Sequence, residues 1–171
     1  MKNLSDNPAG QQRNGETQTG QSRANPYDIG WLAGIIDGEG HLRANCRTGQ
    51  YKNTIQPNLI VSTTSIVMME SMQRIVFEVT GRVFPLTLES QRKTKDGRRY
   101  HRRCYRLNIT KHRDLLTVLT AVEPHLRTKK QQAIELIAFC KARLAKKSYN
   151  EPYTAEQHKL PELLQVLGRK S

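Results

Sequence analysis

The sequence predicts an α+β domain in which two helix–hairpin units follow one another and further helices close the chain. Three observations support this fold class. Apolar residues recur at helical spacing in several segments, short strand-like runs occur in two pairs between them, and an Asp-Gly pair, a strong hairpin signal, separates the second pair. With 171 residues, the chain is long enough for one domain with a buried core. The predicted order is α-β-β-α-β-β-α-α, followed by a short amphipathic helix.

Each predicted element has local signals at its ends. The first helix is expected to follow Asn25, a suitable N-cap, with Pro26 in its first turn, and to end near Asp37 before two glycines. Gly81 is expected to end the second helix. The remaining predicted elements are strands at Leu42–Cys46, Leu59–Thr63, Val83–Gln91 and Tyr100–Ile109, with a turn at Asp96-Gly97, and helices at Ile66–Val79, Asp114–Val122, Lys129–Lys147 and Ala155–Leu167, the last interrupted by Pro161.

The composition divides the chain into three parts and indicates a polyanionic partner. Residues 1–24 are polar and predicted to be disordered, residues 25–147 form the predicted core, and residues 148–171 form a C-terminal tail with a short helix. A formal net charge of +13 favours nucleic acid or an anionic membrane as partner, and no apolar run is long enough to span a bilayer. Three widely spaced cysteines favour neither a disulfide framework nor a zinc site. We therefore expect an intracellular protein, cytoplasmic or organellar.

Glycine recurs every fourth residue in the first predicted helix, at Gly30, Gly34 and Gly38. These residues share one face, and each costs the helix about 1 kcal/mol relative to alanine. This cost is compensated if the backbone of a second helix packs closely against the glycine stripe, the face that carries these three glycines. The sequence therefore predicts a dimer interface on this helix, comprising Gly30, Trp31, Ala33, Gly34 and Asp37. Glu39 is then expected close to its counterpart on the partner.

The segment Leu32–Gly40 reads LAGIIDGEG and resembles the LAGLIDADG motif of a family of homing endonucleases. Six of the nine positions are identical, and the departures are Ile35, Gly38 and Glu39. Spacing alone is equally compatible with a buried glycine-containing helix. The resemblance implies an αββαββα core with a curved four-stranded antiparallel sheet that binds double-stranded DNA in the major groove. Because only one copy of the motif is present, it also implies a homodimer on a roughly palindromic site.

By this resemblance, the carboxylate of Glu39 and the main-chain carbonyl of Gly38 bind Mg²⁺, with Mn²⁺ as a substitute. Hard oxygen ligands suit magnesium, and the remaining ligands would be scissile phosphates and water. Asp37 is expected to be structural. A second match, from Pro124 to Lys129, resembles a Pro-x-Leu-(Lys/Arg)-x-Lys run of single-motif members and implies a catalytic role for Lys129. The alternative for Glu39 is a solvated glutamate at the end of a helix. The alternative for Lys129 is a lysine that only binds backbone phosphate.

The family often places a polar or basic pair after the second strand, and this chain departs from that pattern. The segment from Ser62 to Ser65 contains only serine and threonine, with Ser65 as the closest positional match. Hydroxyl groups can order water but carry no charge. The second layer of side chains around the predicted active site is therefore expected to be weaker than in the family.

DNA contact is predicted for both hairpins. Between Arg82 and Arg106 the chain has nine basic and two acidic residues, more charge than solubility alone requires. Arginines on a two-stranded ribbon can reach guanine edges or hold phosphates. The predicted DNA-binding residues are Arg43, Asn45, Arg47, Lys52, Gln56, Arg92, Lys93, Arg98, Arg99, Arg102, Arg103 and Arg106. The phase of each strand, and hence which of these residues point at DNA, stays open from sequence alone.

The function predicted from these features is site-specific cleavage of both DNA strands, leaving short 3′ overhangs, as in intron homing. An RNA-splicing maturase and a DNA-binding regulator that does not cut are the main alternatives with the same fold. A basic protein that packages nucleic acid is a more distant one. An acid at Glu39 together with Lys129 favours cleavage, because a protein that only binds requires neither.

Overall fold

The computed structural model describes residues 24–47, 54–89, 103–146, 148 and 151–169. Within these ranges the predicted order of elements is confirmed. The elements are α1 (Pro26–Glu39), β1 (Gly40–Cys46), β2 (Ile55–Thr63), α2 (Ile66–Thr80), β3 (Thr87–Glu89), β4 (Cys104–Ile109), α3 (His112–Val122), a 3-10 turn (Glu123–His125), α4 (Lys130–Leu144) and α5 (Ala155–Gly168). The predicted Asp96-Gly97 turn and, apart from Ala24, the predicted N-terminal tail lie outside the described residues. No helix in the described ranges is long and apolar enough to cross a lipid bilayer.

Helix α1 begins as predicted and leads directly into β1. The side chain of Asn25 accepts a hydrogen bond from the main-chain nitrogen of Asp28 at 2.9 Å, which caps the helix. The helix extends two residues beyond the predicted end, to Glu39, and Gly40 is the first residue of the strand. A Cβ atom on Gly40 would lie 2.5 Å from the carbonyl oxygen of Ile36, so only glycine fits this abrupt junction. The junction fixes the position of Glu39 relative to the sheet.

The four strands form one antiparallel sheet in the order β1-β2-β4-β3. Gly40 pairs with Val61 and Val61 pairs with Leu107, so these residues share a face, and Leu42, Leu59 and Ile109 form the next row on that face. The three residues of that next row are at most 2% exposed, and they belong to the core that the helices cover. The opposite face carries the alternate residues.

Helix α5 packs against the edge of the sheet and is continuous through Pro161, so the predicted interruption is wrong. Leu160 and Leu164 are buried in the core, and a capping box formed by Thr154 and Gln157 stabilises the first turn. The stabilisation from burial and capping offsets the free energy that is lost because proline cannot donate a main-chain hydrogen bond inside a helix. The predicted tail therefore includes a helix that belongs to the packed domain.

The loop that precedes α5 is fastened to both the sheet and α4. The hydroxyl of Tyr153 donates a hydrogen bond to the carbonyl oxygen of Ile55 at 3.2 Å. The Tyr153 ring stacks on Phe139 with 6.1 Å between centroids, and the guanidinium of Arg143 lies 3.9 Å from the centroid of the same ring. These contacts fix α5 beside β1, where it borders the open face of the sheet.

Candidate active site and nucleic-acid interface

The C-terminal end of α1 presents the two predicted metal ligands to solvent. Glu39 is the last residue of the helix, and both Glu39 and Gly38 are exposed. Because β1 starts at the next residue, the Glu39 carboxylate lies at the edge of the sheet. Its position allows it to reach a ligand that lies on the open face.

Asp37 fastens the loop before α4 onto the end of α1. Its carboxylate accepts hydrogen bonds from the main-chain nitrogens of Arg127 at 2.7 Å and Lys129 at 3.0 Å, and from the hydroxyl of Thr128 at 3.0 Å. Partial burial raises the pKa of Asp37, but these hydrogen bonds together outweigh it, so the pKa lies below its ordinary value. The carboxylate is therefore ionised at neutral pH and holds two distant segments together.

The hydrogen bonds that the Asp37 carboxylate accepts from residues 127–129, called the Asp37 clamp below, bring Lys129 to the end of α1. The half-buried side chain folds back so that Nζ donates a hydrogen bond to the main-chain carbonyl of Asp37, two residues from Glu39. The backbone of Lys129 is held separately by the Asp37 carboxylate. The structure thus brings together a carboxylate and an ammonium group that are ninety residues apart in sequence.

His41 also belongs to this site, although the sequence analysis did not single it out. Partial burial and the positive charges of Arg43 and Lys129 lower the pKa of His41, and the opposing effect of Glu39 is smaller. Arg43 lies two residues further along β1, on the same face as His41. The signal in the sequence was alternation: His41 follows the buried Gly40, so it faces the open side of β1.

The open face of the sheet is polar, and it carries four of the predicted DNA-binding residues. The strand residues on this face are His41, Arg43, Asn45, Gln56, Asn58, Ile60, Ser62, Thr87, Glu89, Cys104, Arg106 and Asn108. Arg43, Asn45, Gln56 and Arg106 are in this set. Arg47 follows β1, and its Nε donates a hydrogen bond to Oε1 of Gln56 at 2.9 Å.

The other predicted DNA-binding residues are not on the described part of this face. Arg103 is exposed and directly precedes β4. Lys52, Arg92, Lys93, Arg98, Arg99 and Arg102 lie outside the described residues. Their predicted role in binding DNA stays a prediction.

The structure assigns Ser65 a local role. Its hydroxyl accepts a hydrogen bond from the main-chain nitrogen of Met68 at 3.3 Å and caps α2. Ser62 is the serine of this segment that lies on the open face, where its hydroxyl accepts a hydrogen bond from Nε of Arg106 at 3.3 Å. Ser62 and Arg106 therefore supply polar side chains in the part of the open face beside the end of α1.

No other described part of the chain covers the outer face of α1. A Cβ atom on Gly30, Gly34 or Gly38 would meet no atom of the described residues within 4 Å, and Tyr27 and Trp31 on the same side are exposed. Four of the five predicted interface residues are at least partly exposed, but Ala33 is completely buried in the core of its own chain. Ala33 therefore does not belong to the exposed stripe.

A groove of about 660 Å³ runs between β1 and α5 and extends the open face past the edge of the sheet. Lys129 and Arg43 line it from the sheet side, and Gln165 and Arg169 line it from α5. Three basic residues, Lys129, Arg43 and Arg169, therefore line the groove together with one acidic residue, Glu162.

Solved structures of homing endonucleases have this architecture. The homing endonuclease I-CvuI, in complex with its target in the presence of 2 mM Ca, aligns with a TM-score of 0.51 and 21% sequence identity over 84% of this chain and 98% of that chain. I-CvuI in complex with the I-CreI target in the presence of 2 mM Mg, with the DNA not cleaved, gives the same values. The chain has the LAGLIDADG homing endonuclease fold. No protein-family model and no curated protein sequence matches the chain.

The match confirms the fold that the nine-residue motif implied. The LAGLIDADG-like segment occupies α1 and its junction with β1. The four-stranded antiparallel sheet predicted with it is present in the described residues.

Proposed function

We propose that the chain is a metal-dependent DNA endonuclease that acts as a homodimer and cuts both strands of a long, roughly palindromic site, leaving short 3′ overhangs. The observation that carries this proposal is the end of α1. There Asp37 clamps Lys129 beside the exposed Glu39, at the edge of an open polar sheet face. A protein that only binds nucleic acid requires neither a carboxylate at Glu39 nor an ammonium group at Lys129.

The residues at the end of α1 fit a divalent metal ion that is shared with the substrate. Glu39 and Gly38 offer a carboxylate and a carbonyl oxygen, both exposed and both hard ligands. Among the described residues, no group of three or more His, Cys, Asp or Glu side chains could hold an ion without help. Phosphate oxygens and water are therefore needed to complete the coordination. Bound there, Mg²⁺ or Mn²⁺ would supply Lewis acidity at the scissile phosphate and a more acidic water.

The chain's own groups perform the remaining tasks. Lys129 is proposed to neutralise negative charge that grows on the phosphate in the transition state. Its hydrogen bond to the carbonyl of Asp37 supports this role, because an anchored group needs little reorganisation during the reaction. The open face of the sheet holds and orients the duplex through Arg43, Asn45, Gln56 and Arg106. The formal net charge of +13 accelerates encounter with DNA and makes binding depend on salt.

Two copies are proposed to meet through the glycine stripe of α1. Bare glycines allow two helices to approach closely, and this approach would bring the two Glu39 carboxylates to neighbouring phosphates on opposite strands. The exposed rings of Tyr27 and Trp31 would gain burial in the same contact. An interface of this kind is isologous, so the DNA site should have matching half-sites.

Gly34→Ala is expected to separate the stability of the chain from its self-association. A Cβ atom at this position meets nothing within 4 Å, and alanine favours the helix by about 1 kcal/mol, so the free energy of unfolding of the monomer should not fall. The dimer dissociation constant, measured by analytical ultracentrifugation, should rise about tenfold or more because the helices are forced apart, a change of about 1.4 kcal/mol. Thr120→Ala is the control, because it improves helix propensity at an exposed position of a different helix, α3. An unchanged dissociation constant would place the interface elsewhere.

Cleavage itself is tested on a library of duplexes with a randomised central segment. The protein is incubated with the library in Mg²⁺, in Mn²⁺ or in EDTA, and the ends of any cut duplexes are sequenced. We expect cut ends with short 3′ overhangs around one palindromic consensus, with either metal ion and not in EDTA. If duplexes are selectively bound but stay intact with both metal ions, the protein is a DNA-binding regulator and the proposal is wrong.

A further inference from the structure

An ion pair between Arg106 and Glu89 crosses the open face of the sheet. Nη2 of Arg106, in β4, pairs with Oε1 of Glu89, in β3. On the other side, Nε of Arg106 donates a hydrogen bond to the Ser62 hydroxyl at 3.3 Å, and the Thr87 hydroxyl bonds the main-chain carbonyl of Arg106 at 3.3 Å. The guanidinium is therefore held from two neighbouring strands while its side chain stays 37% exposed.

The acidic partner is unexpected on this surface. Glu89 is the only acidic residue in the described strands, and its ion pair is the only one among the described residues that lies on the open face of the sheet. A carboxylate facing a polyanion lowers affinity. It also neutralises Arg106, which makes this arginine a poor ligand for phosphate. An arginine that binds a neutral acceptor loses much less affinity when it is paired with a carboxylate.

The remaining donors of Arg106 match a guanine edge. Nε donates a hydrogen bond to Ser62 and Nη2 pairs with Glu89, while Nη1 has no partner in the described ranges. Nη2 carries two protons, so Nη1 and the second proton of Nη2 remain as donors for a ligand. Guanine presents two acceptors, O6 and N7, to the major groove, and arginine binds them bidentately. A guanidinium already fixed on its other side would lose little conformational entropy when it binds.

The strand register places these donors close to the end of α1. Gly40 pairs with Val61, so Ser62 lies one residue further toward the position of Glu39. Ser62 pairs with Arg106 in the neighbouring strand. Arg106 therefore belongs to the part of the sheet nearest the proposed cleavage site.

We propose that Arg106, aimed by Glu89 and Ser62, is a specificity-determining residue that reads a guanine in the innermost part of each half-site. This inference rests on the proposed function and adds a base preference to it. Arg106 makes the base contact, and Glu89 is a positioning residue. If Glu89 has this role, removing its charge should lower specificity and raise affinity for unrelated DNA.

The test compares duplexes selected from the randomised library by the wild-type protein, Arg106→Lys and Glu89→Gln. The wild-type protein should prefer guanine at one inner position of each half-site by about tenfold or more over other bases. In both variants this preference should fall to about threefold or less, and every other position should keep its preference. Glu89→Gln should also bind random duplex DNA more tightly and with a steeper salt dependence, which structural damage would not produce.

Glu78→Gln is the matched control, because it removes the acid from the Arg74–Glu78 pair on α2, away from the open face. Its base preferences should equal those of the wild-type protein. An unchanged inner guanine preference in either Arg106→Lys or Glu89→Gln overturns the inference, although DNA cleavage would stand. If the wild-type protein enriches no sequence at all, the proposed function itself fails.

Discussion

Glu39→Gln is expected to abolish DNA cleavage and to leave DNA binding nearly intact. The substitution keeps the size of the side chain but removes the charge that would hold a divalent ion at the exposed end of α1. Metal-ion chemistry contributes several kcal/mol to the barrier, so the single-turnover rate in saturating Mg²⁺ should fall by about 10³-fold or more. Affinity for the selected duplex, measured in Ca²⁺ by fluorescence anisotropy, should change much less.

Glu70→Gln supplies the control, because Glu70 is an exposed glutamate on α2, far in sequence from the end of α1. Its cleavage rate should equal that of the wild-type protein. A Glu39→Gln protein that cuts at the wild-type rate would exclude this carboxylate as the metal ligand. Loss of binding together with cleavage would indicate that Glu39 supports the structure instead.

Lys129→Met is expected to slow the chemical step with a smaller effect on binding. The ammonium group is anchored to the carbonyl of Asp37 beside Glu39, where it can neutralise charge on the phosphate. Removing one preorganised electrostatic group typically costs 10²- to 10³-fold in kcat, and we expect about this loss at saturating DNA. The fold should persist, because Asp37 binds the main-chain nitrogen of Lys129, which methionine keeps.

Lys130→Met is the neighbouring control. Lys130 is exposed and pairs with Glu123 at 3.3 Å, so its loss removes the same charge from the same helix end without touching the Asp37 clamp. Its effect should appear in affinity and salt dependence, while kcat stays near the wild-type value. If the two variants lose the same amount of kcat, the loss reflects general charge and not the placement of Lys129.

Local chemistry made much of the fold predictable. Asn25 and Pro26 placed the start of α1 correctly. Gly81 ends α2 in the left-handed conformation, with φ of +70°, which glycine adopts at little cost. These signals act over three or four residues, and for that reason sequence alone reveals them. The nine-residue motif then supplied the arrangement of helices and strands.

Contacts between distant segments could not be derived in the same way. Asp37 binds nitrogen atoms about ninety residues further along the chain, and no local pattern indicates which partner its carboxylate has. His41 and Arg106 become parts of the site through strand register. Register depends on the packed core, and a shift of one residue would turn every side chain to the opposite face.

Two local interpretations failed because tertiary packing outweighed a local rule. Pro161 should interrupt a helix, but burial of Leu160 and Leu164 beside it keeps α5 continuous. Ala33 has the small side chain expected at a close helix contact, but it faces the core of its own chain. In both cases the face on which each residue lies decided the outcome.

In the proposed enzyme, two copies of Glu39, one from each chain, each serve one strand of the duplex. Cut strands can be counted with dimers that contain one wild-type and one Glu39→Gln subunit, purified through two different affinity tags. These mixed dimers should nick one strand of the selected duplex and leave the other intact in Mg²⁺. Cleavage of both strands by the mixed dimers, or of both strands by a complex that contains a single chain, would contradict this proposal.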